Sequence, residues 1–193
     1  MGFLFCLKKE LRDLVRNPKL TGFVLVAWLA ATVFSLYPPE RLGLDISPSW
    51  AVAVLSVALT CQFLCDSLKN DFRSGGLLFL LNGGCGFFSP FVAKCGLAVA
   101  AGILPCLLAF LVGEGAIPVA SLIKLLLEVP LAAVLAWLLL VATGGADVLS
   151  FVLSLVATIG ASRGGVVALS LLILCCLPLC RHFWTSRRFR SSL

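Results

Sequence analysis

The sequence predicts an all-α fold: a polytopic transmembrane helix bundle of about six spans, with an amphipathic amino-terminal helix lying at the membrane interface. Three observations lead there. Of the 193 residues 61% are hydrophobic and 12% are charged, against about 25% charged in soluble domains. The mean hydropathy is +1.10, a value at which a water-soluble globule would precipitate. The apolar letters come in long runs broken by Gly, Pro and charge, without the alternation of barrel strands. At about 20 residues per span, the length accommodates five or six helices in one membrane-embedded domain over 1–193.

Phe3 to Arg16 opens the chain as an amphipathic interfacial helix. Phe3, Leu7, Leu11 and Leu14 share one face, while Lys8, Lys9, Arg12 and Arg16 take the opposite one, toward anionic headgroups. Asn17-Pro18 ends it, because the residue before proline avoids the helical region. A cleavable signal peptide is the competing reading of this end; the charged stretch is long for one and the next apolar run substantial. The first span covers Leu20 to Tyr37, stopped by Pro38-Pro39, with Tyr37 at the interface. Trp50 opens the second span, which ends near Cys65.

Asp66 to Lys94 is the longest polar interruption, expected to be a contact element hung between spans two and three. Read as a helix, it puts Leu68, Phe72, Gly75 and Phe79 on one stripe and turns Lys69, Asn70, Arg73 and Ser74 away. A surface read by a soluble partner and a solvated loop with a chance stripe both fit that pattern.

The third span runs from Cys95 to Val112 and the turn Gly113-Glu114-Gly115 follows it. The segment Ile117–Thr143 contains Lys124, Glu128 and Pro130. Lys124 and Glu128 are one turn apart and can pair. Either they form an intramembrane pair facing the bundle interior, or 117–128 is interfacial and the span proper starts near Val129. The second reading is favoured because a mid-bilayer charge costs about 2.5–3.5 kcal/mol on insertion scales. Val148–Ala161 and Val166–Cys180 are short apolar segments that either borrow flanking glycines or form a hairpin. The basic, aromatic tail from Arg181 suits an anionic surface.

Charge placement gives the orientation. With both termini inside, twelve Lys and Arg residues fall on the inner side and two, Arg41 and Arg163, on the outer, with Lys124 unassigned. This is the positive-inside bias. The net charge of +6 therefore reads as topology, and nucleic acid is not an expected partner.

The nine cysteines lie mostly inside apolar runs, without CxxC or Cys/His spacing, so neither a disulfide framework nor a metal site is expected. GGLLFLLNGG lacks the Lys-Ser/Thr of a phosphate loop. His182 is the sole histidine, and Asp66, Asp71 and Glu114 read as loop acids. No catalytic set emerges, and an enzyme active in its own right is not expected. A bundle without its own energy source suits transport driven by a separate ATPase.

Taken together, KKELRDLVRNPKL before span one, NDFRSGGLLFLLNGG after span two and Lys94 before span three resemble the ABC-2 type exporter permeases. The late stretch LSFVLSLVATIGASRGGVVALSLLILCCLPL, with Arg163-Gly164-Gly165, looks more narrowly like the haem exporter protein B (CcmB) family of cytochrome c maturation. The chain departs from that family at Gly75-Gly76-Leu77-Leu78, where an acidic residue is usual, and at Asn82-Gly83, where Ser-Pro is common.

The resemblance implies a multi-pass permease of the bacterial inner membrane, with cytoplasmic termini. It would be energised by a cytoplasmic ATP-binding subunit docking on Leu68, Phe72, Arg73, Gly75, Gly76 and Phe79. Haem is then a substrate rather than a bound cofactor. Haem-handling membrane subunits and a homodimeric or hetero-oligomeric assembly in the lipid bilayer are the implied partners. A general ABC-2 exporter of lipid, glycan or a drug-like peptide is the alternative, and a non-transporting structural membrane protein is a third reading.

Overall fold

The computed structural model of the chain describes residues 2–37, 47–75, 88–112, 118–143 and 164–185. Every regular element among them is an α-helix: α1 (Gly2–Arg16), α2 (Pro18–Leu36), α3 (Pro48–Ser74), α4 (Phe88–Val112), α5 (Val119–Thr143) and α6 (Gly165–Thr185). Two stretches, Ser49–Ser74 and Val119–Val141, are long and apolar enough to cross a membrane; Ser89–Pro105 and Gly165–Pro178 are shorter apolar helices.

The corner between α1 and α2 is tight. Asn17 donates its backbone N–H to the Asp13 carbonyl at 3.0 Å. The Thr21 hydroxyl donates to the carbonyls of Leu14 and Asn17 at 2.9 and 3.1 Å. Pro18 takes the first position of α2, where no backbone N–H is needed.

Helix α3 corrects the expected end of the second span. It is capped by Ser47, whose side chain accepts from the Trp50 N–H, and runs unbroken to Ser74, where Gly75 at φ 66° closes it in the left-handed conformation. The polar letters after Cys65 do not interrupt it, because they keep the helical period: Leu64, Leu68 and Asp71 face inward, while Asn70, Arg73 and Ser74 face out. Nothing between Asp66 and Ser74 breaks a helix. Asp66 and Asp71, expected in a loop, are helical.

Helix α4 likewise begins at Phe88 rather than Cys95, with Pro90 tolerated in its first turn. Lys94 is therefore a helical residue, not a loop one. Deeper in α4, Pro105 removes the bond that would satisfy the Ala101 carbonyl. The Trp28 indole N–H of α2 donates to that carbonyl at 3.4 Å, which seats α2 on α4 and replaces the lost backbone partner.

Helix α5 passes straight through Pro130, so the expected division into an interfacial 117–128 helix and a span from Val129 is not seen. Helix α6 extends five residues past Cys180, taking Arg181 to Thr185 into regular structure. The turn 113–115 and the segment Val148–Ala161 lie outside the described residues.

Helix α4 packs against α1, α2, α3 and α5, and α6 lies against α5. The core is built from Val57, Phe63, Leu64 and Leu68 of α3, Ala98 of α4, and Val129, Ala132, Ala136, Trp137 and Leu140 of α5, with Leu169 of α6. Phe91 meets Trp137 edge-on at 5.5 Å. At the α3–α4 crossing Gly102 lets the backbones approach: a Cβ there would lie 2.8 Å from the Ser56 carbonyl oxygen and collide with the Thr60 side chain.

Outside this core the helices stay apolar. Leu25, Leu29 and Val33 of α2, Ile123 and Leu127 of α5, and Val167, Leu171 and Leu174 of α6 are all exposed. Faces of that kind need cover from something other than water.

Candidate functional site

At the end of the bundle where α1, the last turns of α3 and the second turn of α4 meet, charge is buried. Each residue arrives by helical periodicity. On α1, Cys6, Glu10 and Leu14 recur every four residues and form the inward face, so Glu10 is carried in among apolar neighbours. On α3, Ser67 and Asp71 stand one turn apart beside the buried Leu64 and Leu68. On α4, Lys94 lies between Ala93 and Cys95, both buried. Lys94 is buried, its side chain 1% exposed.

The charges close a ring of alternating sign. Lys94 Nζ lies 2.7 Å from Glu10 Oε1 and 2.8 Å from Asp71 Oδ2. Lys9 Nζ lies 2.7 Å from Asp71 Oδ1 and 3.3 Å from Glu10 Oε1. The Ser67 hydroxyl donates to Glu10 Oε2 at 2.6 Å and accepts from Lys94 Nζ. The half-exposed Asp13 adds a 3.1 Å contact to Lys9. Two ammoniums face two buried carboxylates, so the ring is neutral as a unit, which is the condition for keeping such groups out of water.

Lys9 was expected on the headgroup-facing side of α1 and instead turns into this ring. Burial alone would lower its pKa; the hydrogen bonds to Asp71 and Asp13 and the charges of Glu10 and Asp71 outweigh it, and the ammonium is held well above its ordinary range. Glu10, Asp13 and Asp71 bring carboxylate oxygens within 4.8 Å of one another, as a cation site would. The two lysine ammoniums already stand among them, so the arrangement is an ion-pair ring.

Three helices distant in sequence are thus clamped at one point. Beside it a cavity of about 440 Å³ opens between the α1–α2 corner and the end of α3, its walls including Arg16, Lys19, Lys69 and Arg73 as well as Asp13 and Asp66.

The residues expected to dock an ATPase divide. Leu68 is fully buried and Phe72 is packed against the core, so both hold the bundle together. Arg73 is exposed on the outward face, and Gly75 forms the helix cap. Gly76 and Phe79 lie outside the described residues. The Lys124–Glu128 pair forms at 3.4 Å with Glu128 buried and Lys124 about one-third exposed, well away in sequence from the ring helices' charged ends.

Sequence reasoning missed the ring, although a signal was present. Lys94 stands in the run FSPFVAKCGLAV, and a lysine in such a run demands carboxylates. Glu10 and Asp71 are the acids that fall on the apolar stripes of their own helices. No protein-family model, curated protein or solved structure matches the chain.

Proposed function

We propose that the chain is the membrane-embedded permease subunit of an ATP-driven exporter, with the ring end of the bundle cytoplasmic and a separate ATP-binding subunit seated against the outward face of α3. The observation that carries this is the clamp itself. Lys9 and Glu10 of α1, Asp71 of α3 and Lys94 of α4 are joined by contacts of 2.7 to 3.3 Å. A partner pressing on Asn70, Arg73 and Ser74 therefore moves three helices together, and the adjoining mixed-charge cavity gives it a place to grip.

Helix lengths support the membrane part of the reading. Trp50 to Leu68, Lys94 to Val112 and Pro18 to Leu36 each span eighteen steps of helix. At 1.5 Å per residue that is about 27 Å, close to the roughly 30 Å of bilayer hydrocarbon. The ring then lies at one boundary, with Trp50 and Tyr37 at the other, where aromatic side chains collect. The exposed apolar faces of α2, α5 and α6 would meet lipid or a second subunit.

The narrower form, export tied to haem handling in cytochrome c maturation, is carried by the resemblance over residues 149–179. Co-purification of haem-handling membrane subunits separates it from general export.

Arg73→Glu tests the docking. The side chain is exposed and contributes nothing to the ring, so the variant should melt like the parent yet lose an ATP-binding subunit that co-purifies with it from native membranes. Retention of that subunit, with undiminished ATPase stimulation, would overturn the proposal.

A further inference from the structure

The opposite end of α3 holds a second polar place. A cavity of about 300 Å³ lies between the first turns of α3 and α5, lined by Ser47, Ser49, Trp50, Ser121, Lys124 and Glu128. Glu128 is 1% exposed, and neither of its carboxylate oxygens receives a hydrogen bond among the described residues. Lys124 Nζ stands 3.4 Å from Oε1 as an ion pair. A buried carboxylate without hydrogen bonds in the wall of a cavity calls for a donor from outside the chain.

The remaining walls ask for the opposite charge. The amino-terminal ends of α3, capped by Ser47, and of α5, where Ser121 stands, turn the positive ends of two helix dipoles toward the same space. Lys124 on the rim adds a full positive charge. Among the described residues the charges in its wall are Lys124 and Glu128, a neutral pair, so a lone cation or lone anion would leave an excess charge beside the buried Glu128. A ligand carrying both signs would not.

We propose that this cavity binds a small zwitterion in which a primary ammonium is joined to an acidic group. The ammonium donates to the Glu128 carboxylate, the phosphate or carboxylate lies toward Lys124 and the two helix ends, and Trp50 covers the entrance. The chemistry is that of phosphoethanolamine, either free or as the headgroup of phosphatidylethanolamine. A choline group cannot substitute, because its quaternary nitrogen has no N–H to give Glu128. The inference needs only the described bundle and stands apart from ATPase docking.

The test uses the purified full chain, in detergent with O-phosphoethanolamine or phosphocholine, and in phosphatidylcholine nanodiscs with or without phosphatidylethanolamine. Melting temperature and tryptophan fluorescence are read, with Trp50→Phe to assign the optical signal. At ligand about 100-fold above its Kd the melting point should rise by about 5–10 °C. Phosphocholine should leave it unchanged, and Glu128→Gln should abolish the rise. A response to the free compound identifies a soluble ligand; a response only to the lipid identifies a headgroup; either supports the site. No response to either source, an equal response to phosphocholine, or an undiminished response in Glu128→Gln overturns it. If Glu128→Gln does not fold, Lys124→Met decides: tenfold weaker binding of whichever source the parent binds supports the site, and unchanged affinity overturns it.

Discussion

Replacing Lys94 by methionine is the sharpest test of the ring. The substitution keeps the length and apolar stem of the side chain and deletes only the ammonium. Glu10 and Asp71, each about 3% exposed or less at the side chain, are then left with Lys9 alone, so one negative charge is buried without a counterpart. Removing one partner of a buried pair costs about 3–5 kcal/mol. For a chain of this size that is a fall of about 6–20 °C in melting temperature. Adding Glu10→Gln restores neutrality between Lys9 and Asp71, so the double variant should recover much of the loss, with a coupling of about 0.5–3 kcal/mol. Intrinsic tryptophan fluorescence on heating in detergent measures both. Cys6, buried against Ala93 of α4, reports whether α1 is still docked: mass spectrometry should find it alkylated slowly in the parent and quickly in Lys94→Met. A single variant melting within about 2 °C of the parent, or a double variant melting no higher than the single, would refute the reasoning.

The α3–α4 crossing should be intolerant at one glycine and indifferent at another. Gly102→Ala puts a Cβ 2.8 Å from a backbone oxygen and should lower stability by about 1–3 kcal/mol, whereas Gly96→Ala, with nothing within 4 Å, should leave it unchanged or slightly raised. Trp28→Phe strips the Ala101 carbonyl of its donor at a cost of about 1–3 kcal/mol, and Pro105→Ala should recover part of this by restoring a backbone N–H to the same oxygen. On the alkaline side, Lys9 is held above its ordinary value of 10.5. Its contribution is therefore complete below pH 10.5 and is lost as the pH rises through the higher folded-state value. Melting curves taken across that range should fall more steeply for the parent than for Lys9→Gln, and identical slopes would remove the ring's claim on Lys9.

Much of the helical architecture could be read from the residues, because apolar runs and proline breaks are local signals. The α1 boundary and the end of α2 near Pro38 followed from Asn17-Pro18 and the proline pair. The run Asp66 to Ser74 misled for an instructive reason. Polar letters there read as the end of an apolar helix, while their spacing keeps Leu68 and Asp71 on the buried stripe of that same helix. The amphipathic stripe itself was legible; what it faced was not. Whether Leu68 meets a partner protein or the core of the bundle depends on tertiary contacts between residues far apart in the sequence. The ring was hidden in the same way. Lys94 alone is an awkward charge, Glu10 alone an acid in a basic helix, and Asp71 alone a loop residue. Only the arrangement of three helices makes them one neutral unit.

A ring of this kind is a weak source of stability and a strong source of specificity. Well-packed apolar residues in its place could leave the bundle as stable or more so, since the desolvation of four charges offsets most of their attraction. Such a core would also accept α1 in several registers, because Leu4, Leu11 and Val15 are exposed apolar residues as ready to be buried as Cys6 and Leu14. The ring accepts one. A rotation of α1 by a single residue would take Glu10 from Lys94 and Lys9 from Asp71, forfeiting both of the pairs that join α1 to its neighbours, so misdocking is penalised where an apolar seam would be indifferent. The same asymmetry suits a joint through which force must pass. A helix held by interchangeable apolar contacts slides under load, while one held by paired charges stays in register until the pairs break together. If the ring serves that purpose, replacing Lys9, Glu10, Asp71 and Lys94 together by apolar residues of similar size should keep the melting temperature near that of the parent while uncoupling α1, seen as faster alkylation of Cys6. A four-residue variant as well protected at Cys6 as the parent would mean that apolar packing alone fixes α1.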